Sequence, residues 1–372
     1  MVNGAWVNRG PATPSPLIEK LALFWHSHFA CGMEKVENSI AMWEQNQLFR
    51  SDGLGDFETL LQKVSVGGAM VRYLDNETNK VGAPQENFAR ELMELHTIGV
   101  GNFTENDVIE MARAWTGYSV VGWNPAGKFV DTRFVYRAGD HDNGQKTIFG
   151  ITRNWDGPAT ITELVNGSKR SQTASFLARK LWHYYVNDNP SAAEVDTVAN
   201  ALKNNGMSIR AALRALLLHP TFWADGTRHA IVRQPVEWSV DVLRQMGIPA
   251  PQAELSWLQP MMGQYLFEPP NVAGWGTHDY WISTSGIWGK GRFIQFIGWQ
   301  DQVVAKFQIL EDLNPDQGVT HILETLGLGD DVTAASKAAL RAWIVDAKAG
   351  YRWTLKHNAL RIGALLPEFQ SA

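Results

Sequence analysis

The chain has 372 residues, enough for one large domain or two ordinary ones, and 45% apolar against 19% charged residues supply ample core. A net charge of −5 gives no electrostatic reason to expect nucleic acid or an anionic membrane surface as partner. The lone Cys31 excludes an internal disulfide framework and a cysteine-based zinc site, and no apolar run reaches the length of a membrane span.

Helical periodicity dominates. Helices are predicted near 15–30, 37–50, 56–64, 67–75, 85–98, 104–116, 158–166, 170–187, 191–204, 207–218, 231–246, 289–307, 316–325, 332–347 and 350–363. Their starts are marked by Ser15 before Pro16, by Asp56, by Thr104 with Asp107 and by Ser191 with Glu194. The region 118–150 alternates or runs β-branched, which suits a short β-hairpin or irregular insertion. The stretch 259–288 is rich in Gly, Pro and Trp without a clear period and reads as a long ordered loop. The expectation is a mainly α, multi-helix globular array forming a single domain over 1–372, with a subdivision into 1–150 and 151–372 as the alternative. Met1 to Gly4 lack the basic and apolar regions of a signal peptide.

The segment from Glu86 to His96, ENFARELMELH, concentrates charge beside an apolar stripe. Phe88, Leu92 and Leu95 recur at spacings of four and three, Glu91 and Glu94 share a face, and Glu86 and Arg90 pair at i,i+4. Ionisable groups next to a core cost free energy unless they are paired or used. Glu91 and Glu94 are therefore candidate acid–base carboxylates. The bland reading is a buried charge network in which Arg90 and Arg113 neutralise them. His26, His28 and His96 would be metal ligands if a divalent metal is bound. Residues two apart on a regular helix point about 200° from each other, so His26 and His28 converge only if the helix ends or distorts. Whether the cofactor is none or a divalent metal stays open.

A second constellation, DHDNGQK at 140–146, puts an acid, an imidazole and a cation into one turn. His141, Asp142 and Lys146 are candidate catalytic groups, the Asp fixing a tautomer and the Lys stabilising developing negative charge. The bland reading is an Asx-rich turn tethered by the lysine. The remaining histidines (His183, His219, His229, His278, His321, His357) read as structural. Among 16 tryptophans, Trp25, Trp115, Trp182 and Trp238 sit in helical stripes and read as core. Trp123, Trp155, Trp275, Trp281 and Trp288 fall in loops, where stacking on a ligand competes with packing. Trp123, Trp275 and Trp281, with Arg90, are the expected substrate contacts.

The run ENFARELMELHTIGVGNFTENDVIEMARAWTGY resembles the signature of the bacterial domain-of-unknown-function family numbered 1800. FWHSHF at 24–29, MVRYLDNETN at 70–79, HDNGQKTIFG at 141–150, FLARKLWHYYV at 176–186, LLLHPTFW at 216–223, RQPVEW at 233–238 and PPNVAGW at 269–275 agree in order. The resemblance covers roughly 16–295. It implies a helical fold and a bacterial, often exported protein, commonly encoded beside a second uncharacterised one; it assigns no reaction. On that ground a periplasmic or secreted location is expected, from a precursor whose start is missing here. The family's further N-terminal helical segment, with an Arg-Ala pair and a Phe-Gly, is not found, so any site residue it contributes is expected to be absent. The resemblance carries onto His141, Asp142, Gly144 and Lys146, while Gln145 stands where a proline is expected.

No Gly-x-Ser-x-Gly elbow, Walker loop or dinucleotide fingerprint is present. The favoured expectation is a hydrolase acting on a small-molecule or polysaccharide substrate, most plausibly a glycoside, through helix carboxylates and the His-Asp turn. The alternatives are a metal-dependent hydrolase with a His/Glu site and a non-catalytic helical assembly or export partner.

Overall fold

The computed structural model describes residues 2–122, 133–251, 253–352 and 354–372. Among them are twenty α-helices and two small antiparallel hairpins, the mainly α architecture that the periodicity predicts. The chain divides into two compact units: a terminal unit of 1–16, 225–266 and 276–372, and a unit of 17–224 with 267–275.

In chain order, α1 (Val2–Ala12) opens the terminal unit. The 17–224 unit follows with α2 (Pro16–His28), α3 (Met33–Val36), α4 (Ser39–Ser51), α5 (Phe57–Ser65), α6 (Gly68–Tyr73), α7 (Asn87–Glu94) and α8 (Glu105–Ala114). Two hairpins come next, β1 (Tyr118–Val121) with β2 (Arg133–Tyr136), and β3 (Lys146–Ile148) with β4 (Ile151–Arg153). The second closes through Phe149 and Gly150, both at positive φ, the backbone that a two-residue hairpin turn requires. Helices α9 (Gly157–Val165), α10 (Arg170–Tyr185), α11 (Ala192–Asn204) and α12 (Ile209–Leu217) complete that part of the unit. The terminal unit resumes with α13 (Pro235–Met246), α14 (Leu255–Met262), α15 (Thr284–Ile297), α16 (Asp301–Phe307), α17 (Pro315–Thr325), α18 (Ala334–Ala349), α19 (Thr354–Ala364) and α20 (Pro367–Gln370).

The start signals at Asp56, Thr104 and Ser191 act as expected. The Asp56 carboxylate accepts the Thr59 N–H at 2.8 Å, and Thr104 with Asp107 and Ser191 with Glu194 form reciprocal capping boxes. The helical-stripe tryptophans are core. Trp25, Trp115, Trp182 and Trp238 are fully buried, and each indole N–H finds an acceptor: Gly53 O, Thr160 Oγ1, Glu194 O and Ala364 O. Trp25 stacks on Phe29 and Phe57, with ring centroids 5.5 and 5.9 Å away.

Several boundaries differ from the sequence reading, and glycine or proline accounts for three of them. The segment Val2–Ala12 is helical although it holds Gly4, Gly10 and Pro11; a Cβ on Gly10 would stand 2.6 Å from Val240 of α13. The predicted helix 231–246 begins only at Pro235, where the missing N–H costs nothing. The predicted loop 259–288 shrinks to 263–283, because α14 tolerates Pro260 and α15 starts at Thr284 through a glycine run. Gly289 lets α14 and α15 touch: a Cβ there would lie 2.3 Å from Met261 O.

Gly289→Ala is expected to destabilise the fold by about 1–3 kcal/mol through overpacking. Gly226→Ala, where a Cβ meets nothing within 4 Å, should stay within about 0.5 kcal/mol of wild type. Urea unfolding of both variants checks the pair; equal stability would refute the close-packing account.

Candidate active site

Helix α7 owes its orientation to Phe88, Ala89, Leu92 and Met93, which are buried. That leaves Asn87, Glu91 and Glu94, at i, i+4 and i+7, on one polar face. Asn87 Nδ2 donates to Asp75 Oδ2 at 3.3 Å, which turns the face toward the residues just after α6. The same Asp75 oxygen receives Lys35 Nζ of α3 at 2.8 Å. So α3, α6 and α7 meet around Tyr73, the last residue of α6.

The fourth wall is the segment 267–275. Phe267 O accepts the Met33 N–H at 2.7 Å, and the Phe267 N–H donates to His26 Nε2 at 3.0 Å. Glu268 thereby comes against the first turn of α3, where its Oε2 accepts the Glu34 N–H at 3.4 Å. Gly32, in extended backbone before α3, lines the floor. A Cβ there would lie 3.4 Å from Tyr73 Cε2 and 3.8 Å from Glu268 Oε2.

The electrostatics of this corner are unusual for a protein surface. Glu91 is partly buried, and its carboxyl is pushed above its ordinary range, first by loss of water and then by Glu94, with Arg90 opposing weakly. Glu268 is raised too, by burial and by the charge of Glu34, against the stabilising Glu34 N–H. Burial also raises the Tyr73 phenol, with added contributions from Cys31, Glu268 and Glu91, so Tyr73 feels both carboxylates. The nearby cations are engaged elsewhere. Lys35 pairs with Asp75, Arg72 with Glu77 and Glu37, and Arg90 with Glu86 and Glu105. Among the described residues no cation lies within ion-pair distance of Glu91, Glu94 or Glu268. The expected charge network fails for the same reason: Arg90 and Arg113 face other acids, Arg113 pairing with Glu110 and Asp142.

The three expected metal ligands do not converge. His26 points toward 267–275, its ring 5.0 Å from Phe267 and 5.1 Å from Trp275. His28 points away from it, as the 200° separation requires. Its Nδ1 is 3.3 Å from Lys180 Nζ and its Nε2 is 3.2 Å from His96 O. His96 is buried with its ring 5.8 Å from that of His28, and its Nε2 has no partner among the described residues. Lys180, whose ammonium burial lowers to about 8, also donates to Leu95 O at 3.2 Å. A cation wedged between two imidazoles opposes a second cation there. Among the described residues, the donor atoms of these histidines, Glu91, Glu94 and His141 form no three-donor cluster within 4.8 Å.

The turn at 140–146 is a tethered structural element. Asp142 receives Arg113 Nε at 2.7 Å and the Gly144 N–H at 2.8 Å, and the Thr116 hydroxyl accepts the Asp142 N–H at 2.8 Å. Lys146 is fully buried and donates to Asp142 O, Gly144 O and Asn154 Oδ1. His141 Nδ1 lies 2.9 Å from Thr116 O, and the ring packs near Tyr136. Those bonds fasten the turn to the end of α8 and to itself; neither Glu91 nor Glu94 takes part. His141, Asp142 and Lys146, expected as catalytic groups, are thus all engaged in bonds that hold the turn.

The expected tryptophan platform is not on the surface. Trp275 is buried against His26, with its backbone N–H on Ser27 Oγ at 3.2 Å, and Trp281 is buried in the terminal unit. Trp155 is fully buried under the Arg153 guanidinium, while Trp288 is 59% exposed. Trp123 lies outside the described residues. Arg90 bridges Glu86 and Glu105 at the rim. The sequence reading missed Glu268 and Tyr73. Both lie in or beside runs already noticed, an acid before two prolines and the tyrosine of MVRYLDNETN, but nothing in the spacing joins them to Glu91.

Two outcomes follow from these environments. Lys146→Met removes a buried donor from three part-buried acceptors and should cost roughly 1.5–3 kcal/mol in denaturant unfolding; unchanged stability would refute the tether. His26 and His96 are both held by burial at about 3, below the ordinary 6.5. A depressed histidine stabilises the fold above 6.5, and that stability is lost as pH falls toward 3, with a slope of about 1.4 kcal/mol per pH unit for each. His96→Gln should flatten the acid limb of a stability–pH curve, and an unaltered slope would show that His96 does not resist protonation.

Comparison with known proteins gives one match. Residues 1–371 fit the family described as "Protein of unknown function (DUF1800)". No curated protein and no solved structure matches the chain. Since the family match spans nearly every residue, including the terminal unit beyond the motifs first noticed, the chain belongs to the DUF1800 family.

Proposed function

We propose that this protein is a hydrolase of glycosidic bonds in an extended polar substrate, with Glu91 and Glu268 as its working carboxylates. One observation carries the reading. Two partly buried carboxyls from separate segments, each with a raised proton affinity, flank one phenol without a paired cation. Nothing in folding gains from such an arrangement, since uncompensated like charges next to a core destabilise it. A carboxyl with a raised proton affinity is suited to act as general acid toward a leaving alkoxide, while a second, ionised one serves as base or nucleophile. Tyr73 keeps its proton throughout and donates to substrate or to the ionised carboxylate. Unpaired acids disfavour an anionic substrate, so neutral sugar units fit better than uronates or phosphates. An exported location, inferred from the family resemblance alone, would bring the site to extracellular polysaccharide.

The other two readings draw less support. A metal-dependent hydrolase needs converging donors, and His26, His28 and His96 diverge. A purely structural helix needs paired carboxylates, and Glu91 and Glu268 lack counter-charges among the described residues. The His-Asp turn leaves the mechanism, and its part passes to Glu268.

A panel of neutral polysaccharides assayed for new reducing ends tests this. Glu91→Gln and Glu268→Gln should each lower kcat/KM by about 100-fold or more. The same variants should gain stability at neutral pH. A raised carboxyl stabilises the fold below the ordinary carboxylate range and loses that contribution as pH rises through its folded value. Each amide should therefore raise Tm more at pH 7–8 than at pH 4–5. Activity equal to wild type in both variants, or no product from any neutral polysaccharide, would sink the reading.

A further inference from the structure

Three residues of the terminal unit, distant in sequence, meet in an order that no motif announces. Ser371 Oγ lies 3.0 Å from His229 Nδ1, and His229 Nε2 lies 3.2 Å from Asp331 Oδ2. The other Asp331 oxygen is 3.2 Å from Arg228 Nη1, which fixes the carboxylate from behind. The Asp331 contact is at ion-pair distance without hydrogen-bond alignment. Catalytic contacts are often loose before substrate binds.

The backbone holds this set in place. Ser371 caps the end of α20 and bridges Val232, with Ala372 N–H on Ile231 O at 2.8 Å, Ile231 N–H on Ala372 O at 3.1 Å and Arg233 N–H on Gln370 O at 2.8 Å. These bonds use the amides on either side, and the Ser371 N–H itself has no partner among the described residues. His229 sits at φ 60, a left-handed backbone that a side chain adopts only when its surroundings enforce it. The side chains stay reachable, His229 being 27% and Asp331 42% exposed. The Ser371 oxygen is also 3.0 Å from Pro367 O. One oxygen position serves both contacts, so only the hydroxyl hydrogen must turn.

We infer that Ser371, His229 and Asp331 form a second reactive site, an acyl-transfer centre for carboxylic esters. The Ser371 oxygen bonds to the ester carbonyl carbon while His229 Nδ1 takes the hydroxyl proton. The Ser371 N–H faces the oxyanion that forms. Collapse breaks the carbon–alkoxide bond, and the imidazolium returns its proton to the departing alcohol. Water then adds to the acyl-serine with the same proton transfers, which releases the acid and restores Ser371. The ring is used in the reverse sense, serine at Nδ1 and carboxylate at Nε2; roles and distances define the constellation rather than atom names. The competing account is a clasp that ties residues 370–372 to 231–233 and does no chemistry.

Whole protein treated with a fluorophosphonate probe, then digested and sequenced by mass spectrometry, separates the two. An acyl-transfer centre gives one adduct per chain, on Ser371, and hydrolysis of p-nitrophenyl acetate that Ser371→Ala abolishes. His229→Gln and Asp331→Asn, each checked for native circular dichroism, should slow labelling, the former by about 100-fold or more. Glu91→Gln should label like wild type, which keeps this centre apart from the carboxylate site. A folded wild-type protein without an adduct at Ser371, or ester hydrolysis that survives Ser371→Ala, overturns the inference.

Discussion

The amide of Phe267 resting on His26 Nε2 is the contact on which the candidate site depends. It joins two stretches far apart in sequence and places Glu268 where it meets Tyr73 and the α3 turn. The bond works because His26 is neutral. Burial lowers the imidazole to about 3, so at neutral pH its Nε2 is an acceptor. A lysine or a protonated imidazole in the same place would present only donors to a donor. The aromatic packing of Phe267 and Trp275 on the ring is what keeps water away and the acceptor state fixed.

Around that bond the 17–224 unit separates two kinds of charged group. Asp142, Arg113, Glu110 and Lys146 are linked to one another or to carbonyls, and Asp107 and Glu110 accept the Phe149 and Thr147 amides, which holds the β3–β4 hairpin against α8. Glu91 and Glu94 carry no such links among the described residues, and Glu268 accepts only the Glu34 amide. Charges that are spent on structure and charges that are not lie within one unit. The contrast in pairing, rather than the presence of charge, distinguishes a site from a scaffold.

The fold was legible wherever local chemistry decides it. Capping oxygens at Asp56, Thr104 and Ser191, apolar stripes, and the helical tryptophans needed no tertiary knowledge. Glycine misled, because its breaker signal and its use as a spacer between helices look identical in one dimension. Gly10 and Gly289 are spacers, and α1, α14 and the first turn of α15 were not foreseen. Half of the site was legible as well. Glu91 and Glu94 declare themselves by sharing a face with no partner on their own helix. Glu268 and Tyr73 do not, since their role comes from the long-range bond to His26. The turn at 140–146 shows its reactive groups in the sequence, but the tether that Lys146 makes within it depends on partners that only the structure supplies.

Gly32 is the residue with the widest reach beyond the present chemistry. Its φ of −97 lies in ordinary extended backbone, so conformation does not demand glycine there. Nor does the space between Tyr73 and Glu268, which takes a single carbon at normal contact distance. The position is therefore open to descent with modification. A methyl would narrow the floor, and a hydroxymethyl would bring a new hydroxyl close to the Glu268 carboxylate, neither at the expense of the backbone. One α-carbon thus sets the shape of this corner without any change to the helices around it.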